Sequence, residues 1–142
     1  MGNEQILLPF LGMMVLTGVV WFVLYARRIP AMRKVGKPAQ EYTTPDKAAE
    51  LLPEDVSNPS NNFKNLFELP LLFYVAALLS MVLMIQDQFL VELAWGYVAL
   101  RYIHSFVHCT YNRVMHRFMA YAASCIVLIF IWARLAAYIL MH

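Results

Sequence analysis

Polar side chains recur at helical spacing in two otherwise apolar stretches of the chain. The members are Asn61, Asn65 and Glu68 in the first stretch and Arg101, His104 and His108 in the second. Side chains three, four or seven positions apart share one face of an α-helix. If the two faces pack together, they form a polar seam whose guanidinium, carboxylate and imidazole groups could share one site.

Two plainer interpretations of this seam stay open. Glu68 and Arg101 could form a buried ion pair whose only role is to lock two helices together. His104 and His108 form an HxxxH pair, which could hold a metal ion with Cys109 and His116 as further ligands. The chain has only four histidines, too few for a many-histidine di-iron site, so we predict no metal.

The composition places these polar groups in a membrane protein. Apolar residues make up 61% of the 142 positions and charged residues only 14%, whereas a soluble domain has about half and a quarter. A formal charge of +2 gives no reason to expect a nucleic-acid partner. The two cysteines, Cys109 and Cys125, form no CxxC motif, so we interpret both as free thiols.

Four segments are apolar and long enough to cross a bilayer, which takes about 20 residues in a helix. They run from about 6 to 26, 66 to 85, 89 to 108 and 118 to 140. These segments use nearly all of residues 1–142. The sequence therefore predicts a single all-α domain, an integral membrane four-helix bundle.

The distribution of positive charge predicts the orientation of this bundle. The loop at about 27–64 holds seven of the eleven basic residues, and the turn near Asn112 adds Arg113 and Arg117. By the positive-inside rule both connections face the cytoplasm and both termini lie outside. We expect a bacterial inner membrane. Within the loop, Thr44 and Pro45 predict the start of one short helix that ends before Pro53.

Several of these motifs, in this order, resemble those of the MAPEG family, the membrane-associated proteins of eicosanoid and glutathione metabolism. The first segment ends in Ala26-Arg27-Arg28, and the second opens with Asn65-Leu66-Phe67-Glu68, with Pro70 close behind. The third ends in Leu100-Arg101-Tyr102-Ile103-His104, followed by Tyr111-Asn112-Arg113. The resemblance spans most of the chain, although Asn61 stands where the family signature has an arginine.

The resemblance implies a homotrimer that binds glutathione at subunit interfaces near the cytoplasmic membrane surface. Many members add the glutathione thiolate to lipophilic electrophiles or use it to reduce lipid hydroperoxides. Carried over by motif, Arg27 or Arg28, Asn65, Glu68 and Tyr102 would hold the tripeptide, and Arg113 would face its sulfur. Asn61, Arg101, His104 and His108 would support that site.

Two classes of function therefore remain. The first is a glutathione transferase or peroxidase that acts on a lipophilic small molecule. The second is a non-catalytic trimer that binds or organises membrane lipids, since the family also contains such members. The sequence does not identify the electrophile or distinguish conjugation from peroxide reduction.

Overall fold

The structure is a computed structural model that describes residues 3–142, and this part of the chain is all α-helical, with no strand. The α-helices are α1 (Leu7–Val35), α2 (Pro45–Leu51), α3 (Glu54–Asn65), α4 (Leu69–Val82), α5 (Gln88–Cys109) and α6 (Val114–Met141). Two 3₁₀ turns, Asn3–Ile6 and Ala39–Tyr42, precede α1 and α2.

Helix α1 is longer than the apolar segment that predicted it. It continues past Ala26 to Val35 and ends at Gly36, whose φ of 71° is the left-handed C-cap conformation that glycine adopts without steric cost. The Gly36 N–H donates to the Met32 carbonyl. The apolar run marks the part of the helix that suits lipid, whereas the capping glycine marks where the helix ends.

The long loop is a folded helical layer rather than an extended segment. The predicted short helix is confirmed as α2, which begins at Pro45 with the Thr44 hydroxyl accepting from the Lys47 N–H. The sequence did not predict α3. A small apolar core holds this layer together and packs it against Ala31 and Met32 of α1; its buried members are Tyr42, Ala48, Leu52 and Val56.

The second predicted segment, about 66–85, is interrupted near its start. Residues 66–68 separate α3 from α4, and Pro70 lies in the first turn of α4. A proline ring clashes with the carbonyl four residues earlier, here that of Leu66, which favours the break between α3 and α4 at this point. The interruption places Glu68 at the N-terminal end of α4 and Asn65 at the C-terminal end of α3.

Three helical stretches among the described residues are long and apolar enough to cross a membrane: Glu4–Val35, Glu54–Val82 and Val114–Met141. They identify an integral membrane protein. Helix α5 has 22 residues, but it carries the buried Arg101, His104 and His108 and lies outside this set. It packs most extensively against α6 and also against α1 and α3. The predicted count of four spanning helices thus stays a prediction.

An ion pair joins the α4–α5 turn to α6. The Asp87 carboxylate accepts from Arg134 Nε at 2.6 Å and from the N–H groups of Phe89 and Leu90 at 3.1 and 3.4 Å, so it also caps α5. The Arg134 hydrogen bond, the largest cause, together with these backbone donors, lowers the pKa of Asp87. A carboxylate whose pKa is lower in the folded than in the unfolded state stabilises the fold at pH values above its unfolded-state pKa. This stabilisation is lost as the pH falls through its folded-state pKa.

We therefore expect Asp87→Asn to lower the thermal unfolding temperature at neutral pH, with the difference from the unmodified protein beginning to shrink below about pH 4 and vanishing only below the lowered folded-state pKa. Asp87→Ala also removes the cap and should cost a further 1 kcal/mol, roughly. Unfolding followed by circular dichroism in detergent across this pH range measures both effects. A deficit of Asp87→Asn that is the same at every pH would contradict the assignment.

Candidate functional site

Arg101 lies at the centre of the polar seam, on α5, with none of its surface exposed. Its Nη2 donates to Asn65 Oδ1 on α3, and its Cζ lies 5.8 Å from the centre of the Tyr121 ring on α6. Its Nε and Nη1 are buried without a hydrogen-bond partner among the described residues. A permanent cation that is buried with so few partners is costly, which is typical of a binding site rather than of packing alone.

Asn65 connects this guanidinium to Glu68. The Asn65 amide accepts from Arg101 through its oxygen and donates through Nδ2 to Glu68 Oε2 at 3.4 Å. Within residues 3–142, Arg101 and Glu68 make no direct ion pair. The structure therefore does not support the interpretation of Arg101 and Glu68 as an ion pair that only locks two helices together. Glu68 is exposed, so its carboxylate is free to meet a ligand.

A cavity of about 210 Å³ lies beside this chain of contacts. Its lining residues come from α3, α5 and α6: Asn65, His104, Val114, Arg117, Phe118 and Tyr121. Arg117 and Tyr121 were not predicted as site residues. The sequence signal that could have identified them is their spacing of four positions at the start of α6. This spacing places both on one face of α6, and that face is turned toward the polar face of α5. A cation, an amide and a phenol thus share one cavity.

The two histidines are buried next to each other. Their ring centres are 5.7 Å apart, and His104 Nδ1 lies 3.1 Å from the Arg117 carbonyl oxygen. Because a carbonyl only accepts, Nδ1 carries the proton when the ring is neutral, which leaves His104 Nε2 as a buried acceptor without a partner. His108 Nδ1 is also buried and unpaired.

Residues 3–142 bring together no group of three or more potential metal ligands. Arg101 and Arg117 also lie close to His104 and would repel a metal cation.

The polar face of α3 shares Asn65 with the predicted one but contains Asn62 in place of Asn61. Asn62, which has no exposed surface, accepts from Ser105 Oγ at 3.3 Å and donates to Cys109 Sγ at 3.6 Å. Asn61 is exposed and lies away from α5, at a small cavity of about 30 Å³ shared with Arg28. The polar face toward α5 is instead formed by the buried Asn58 and Asn62 and the half-buried Asn65, which also recur at i, i+4 and i+7.

Five predicted ligand residues do not line the 210 Å³ cavity, and of these, within the described part of the chain, only Glu68 has a side chain hydrogen-bonded to a residue that does, Asn65. Arg27 Nη1 donates to the carbonyls of Cys109 and Asp55 at 2.7 and 3.1 Å, and so tethers α1 to the end of α5. The Tyr102 hydroxyl donates to the Gly12 carbonyl of α1 at 2.7 Å. Arg113 is exposed at the N-cap of α6, and Arg28 lines the smaller cavity with Asn61.

Of the predicted residues, the structure thus brings together Asn65, Glu68, Arg101, His104 and His108 at one place. It adds Arg117 and Tyr121, and it holds Arg27 and Tyr102 against backbone carbonyls of the same chain.

Comparison with known proteins gives one result that covers the whole bundle. The family model described as "MAPEG family" matches residues 6–137. No curated protein and no solved structure matches the chain. Since the match covers nearly the whole chain and the entire seam, the chain belongs to the MAPEG family.

Proposed function

We propose that this protein is a membrane-bound glutathione transferase or peroxidase, which uses the glutathione thiolate against lipophilic electrophiles or hydroperoxides. Membership of the MAPEG family supports a role of this type. The observation that carries the proposal for this chain is the position of Arg117, which lines the same cavity as Asn65 and Tyr121.

The residues around the cavity suit the charges of glutathione. The tripeptide has two carboxylates and one ammonium, so its site needs guanidinium or amide donors for the first and a carboxylate for the second. Glu68 is the exposed carboxylate, and Asn65 is the amide beside it. We assign the glutathione ammonium to the Glu68 carboxylate. We assign one of the glutathione carboxylates to the N–H groups of the Asn65 amide and the Arg101 guanidinium.

The thiol must ionise before it attacks an electrophile. A nearby cation favours the thiolate, as it does for cysteine, whose pKa falls from about 8.5 to between roughly 3.5 and 7.5 in electropositive sites. We assign this role to Arg117 because it lines the cavity. The family motif instead implies Arg113, which is exposed at the N-cap of α6. The two arginines are thus competing candidates that mutation can separate.

The lipophilic substrate would reach the thiolate from the bilayer. Val114 and Phe118 line one wall of the cavity and are 65% and 60% exposed. The outer surface of this wall is therefore apolar. A site open to lipid on one side and to charged groups on the other holds both reactants together, and proximity supplies much of the acceleration.

We further propose a homotrimer in which α5 also spans the membrane, shielded by its neighbours, with the α2–α3 layer cytoplasmic. A second copy would cover the exposed apolar faces and would bring its own groups to the cavity rim. Arg28 and Tyr102, which lie away from the cavity of their own chain, are candidates to serve the site of a neighbouring subunit.

Glu68→Gln tests the assignment of the ammonium. Glutamine keeps the volume of the side chain and an oxygen for the Asn65 amide but removes the charge. We expect the Kd for glutathione to rise about tenfold, which is about 1.4 kcal/mol, with little change in the unfolding temperature. Isothermal titration of detergent-purified protein measures the Kd. Deaminated glutathione, which lacks the ammonium, should bind both proteins equally.

The activity itself is tested with protein reconstituted in liposomes. Glutathione is supplied with a lipophilic aryl halide in one assay and with a lipid hydroperoxide in another, because the first detects conjugation and the second reduction. Turnover that is lost in Arg117→Ala and retained in Arg113→Ala supports the proposal. Absence of both activities, together with no binding of glutathione, would contradict it.

One observation favours the second function, a non-catalytic lipid-binding protein. An apolar groove of about 280 Å³ lies between α1 and α4, lined by Phe10, Met14, Thr17, Phe67 and Tyr74. It lies on other helix faces than the polar cavity and suits an acyl chain. If this function is the correct one, defined lipid co-purifies with the protein and glutathione does not displace it.

A further inference from the structure

Asn112, in the turn between α5 and α6, holds the guanidinium of Arg117. Arg117 Nη1 donates to Asn112 Oδ1 at 2.6 Å. Asn112 Nδ2 in turn donates to Asn58 Oδ1 at 3.2 Å and to Glu54 Oε1 at 3.3 Å, both on α3. A continuous path of hydrogen bonds therefore runs from the cytoplasmic α3 layer to the cavity.

The partners determine which way the Asn112 amide points. Nδ2 faces two oxygens that only accept, the Glu54 carboxylate and the Asn58 amide oxygen, so this position must be the donor. The amide oxygen then faces the Arg117 N–H, which only donates. Reversing the amide would place oxygen against two oxygens and N–H against N–H. The negative end of the amide dipole is thus fixed toward Arg117.

The backbone of Asn112 gives a second reason for this residue type. Its φ of 45° lies in the left-handed region, where asparagine is among the few residues tolerated besides glycine. Its N–H donates to the Val107 carbonyl at 2.8 Å, which closes the end of α5. Asparagine therefore adopts the left-handed conformation that the turn requires and also presents an acceptor to Arg117. Glycine would adopt the same conformation but has no acceptor.

The surroundings of Arg117 explain why it needs an anchor. His104 and His108 on α5 are its titratable neighbours, and Tyr121 follows it on α6. No carboxylate pairs with Arg117 among the described residues; Glu54 reaches it only through Asn112. A neutral amide fixes the guanidinium in place without cancelling its charge, which stays available to an anion in the cavity.

We propose that Asn112 is a positioning residue: it holds the Arg117 guanidinium at the cavity, with Asn58 and Glu54 of α3 anchoring the amide. This inference rests on the proposed function in one respect, the role of Arg117 opposite the glutathione sulfur. Asn112 itself does not line the cavity and acts only through Arg117. It follows that a displacement of α3 would release Arg117 from its position at the cavity.

The variants Asn112→Gly and Asn112→Asp separate positioning from folding. Glycine keeps the left-handed turn and removes the acceptor, so the guanidinium is released. Aspartate keeps an acceptor but adds a charge that pairs with Arg117 and faces Glu54. Thr110→Gly is the matched control, because it adds a glycine to the same turn without a contact to Arg117.

The first measurement is the thiolate absorbance of bound glutathione as a function of pH. At neutral pH we expect the thiolate fraction to fall about tenfold in Asn112→Gly and in Asn112→Asp, and to stay unchanged in Thr110→Gly. The unfolding temperature should change similarly in the two glycine variants. Equal thiolate fractions in Asn112→Gly and the unmodified protein, at saturating glutathione, would overturn the proposal.

The second measurement needs no glutathione and so separates this inference from the proposed function. Nitrogen-15 NMR of arginine side chains in detergent micelles reports whether rotation of each guanidinium is slow. We expect slow rotation for Arg117 in the unmodified protein and in Thr110→Gly, and fast rotation in Asn112→Gly. Fast rotation of Arg117 in the unmodified protein would overturn the proposal even if glutathione binds as a thiolate.

Discussion

Replacing Arg117 with alanine is expected to remove thiolate formation by bound glutathione and to lower kcat/KM for conjugation by about 100-fold or more. The reason is that Arg117 is the only side chain lining the described cavity that carries a permanent positive charge. Its removal leaves Asn65, His104 and Tyr121 beside a sulfur that no adjacent cation stabilises. A 100-fold loss corresponds to about 2.7 kcal/mol of transition-state stabilisation.

Arg113→Ala is the matched control for this variant. Arg113 lies four residues earlier on the chain, is exposed at the start of α6 and carries the same charge. We expect its removal to change kcat/KM by less than about threefold, the effect of a distant surface charge. The pair is compared by single-turnover kinetics and thiolate absorbance. If Arg113→Ala is the inactive variant, the family motif rather than the cavity identifies the residue opposite the sulfur.

The second large effect is on stability. Asn65→Ala is expected to destabilise the bundle by about 2–3 kcal/mol, because it leaves the fully buried Arg101 without any hydrogen-bond partner among the described residues. Arg101→Met removes the buried charge itself and fills a similar volume. Replacing a buried ion by an apolar group of similar size is often neutral or stabilising.

Arg101→Met should therefore cost less than Asn65→Ala, and the double variant should be more stable than Asn65→Ala alone. Denaturation in mixed micelles, followed by circular dichroism, gives the three free energies of unfolding and their coupling. Equal and additive losses from the two single variants would show that the Arg101–Asn65 contact contributes nothing specific to the bundle. Both single variants should lose glutathione affinity, since both disturb the Asn65 amide.

The sequence predicted the membrane class, the family and the central residues of the seam, because these depend on patterns that lipid enforces. Apolar length predicts a spanning helix, and polar residues at i, i+4 and i+7 in such a helix must face other protein groups. This spacing predicts that Asn65 lies near Arg101, and the two side chains are hydrogen-bonded in the structure. The family model confirms the family, and the helices long enough to span support a membrane protein.

Other features depended on contacts that no local pattern carries. Helix α3 was missed because its prolines and asparagines are typical of loops, whereas it is stabilised by apolar packing of Val56 and by the buried amides of Asn58 and Asn62. The apolar segment ends at Ala26, before the end of α1 at Val35, because apolarity marks the part of the helix that suits lipid and not its C-cap. Arg117 was interpreted as a topology signal only, since its role depends on the turn at Asn112.

The most direct test of the proposed glutathione site is a titration of the detergent-purified, unmodified protein with glutathione near neutral pH, recording thiolate absorbance. We expect a saturable thiolate signal at millimolar glutathione, with no signal from S-methylglutathione, which binds but cannot ionise at sulfur. A protein that binds glutathione without forming thiolate, or that does not bind it at millimolar concentration, would rule out activation of the glutathione thiol by Arg117.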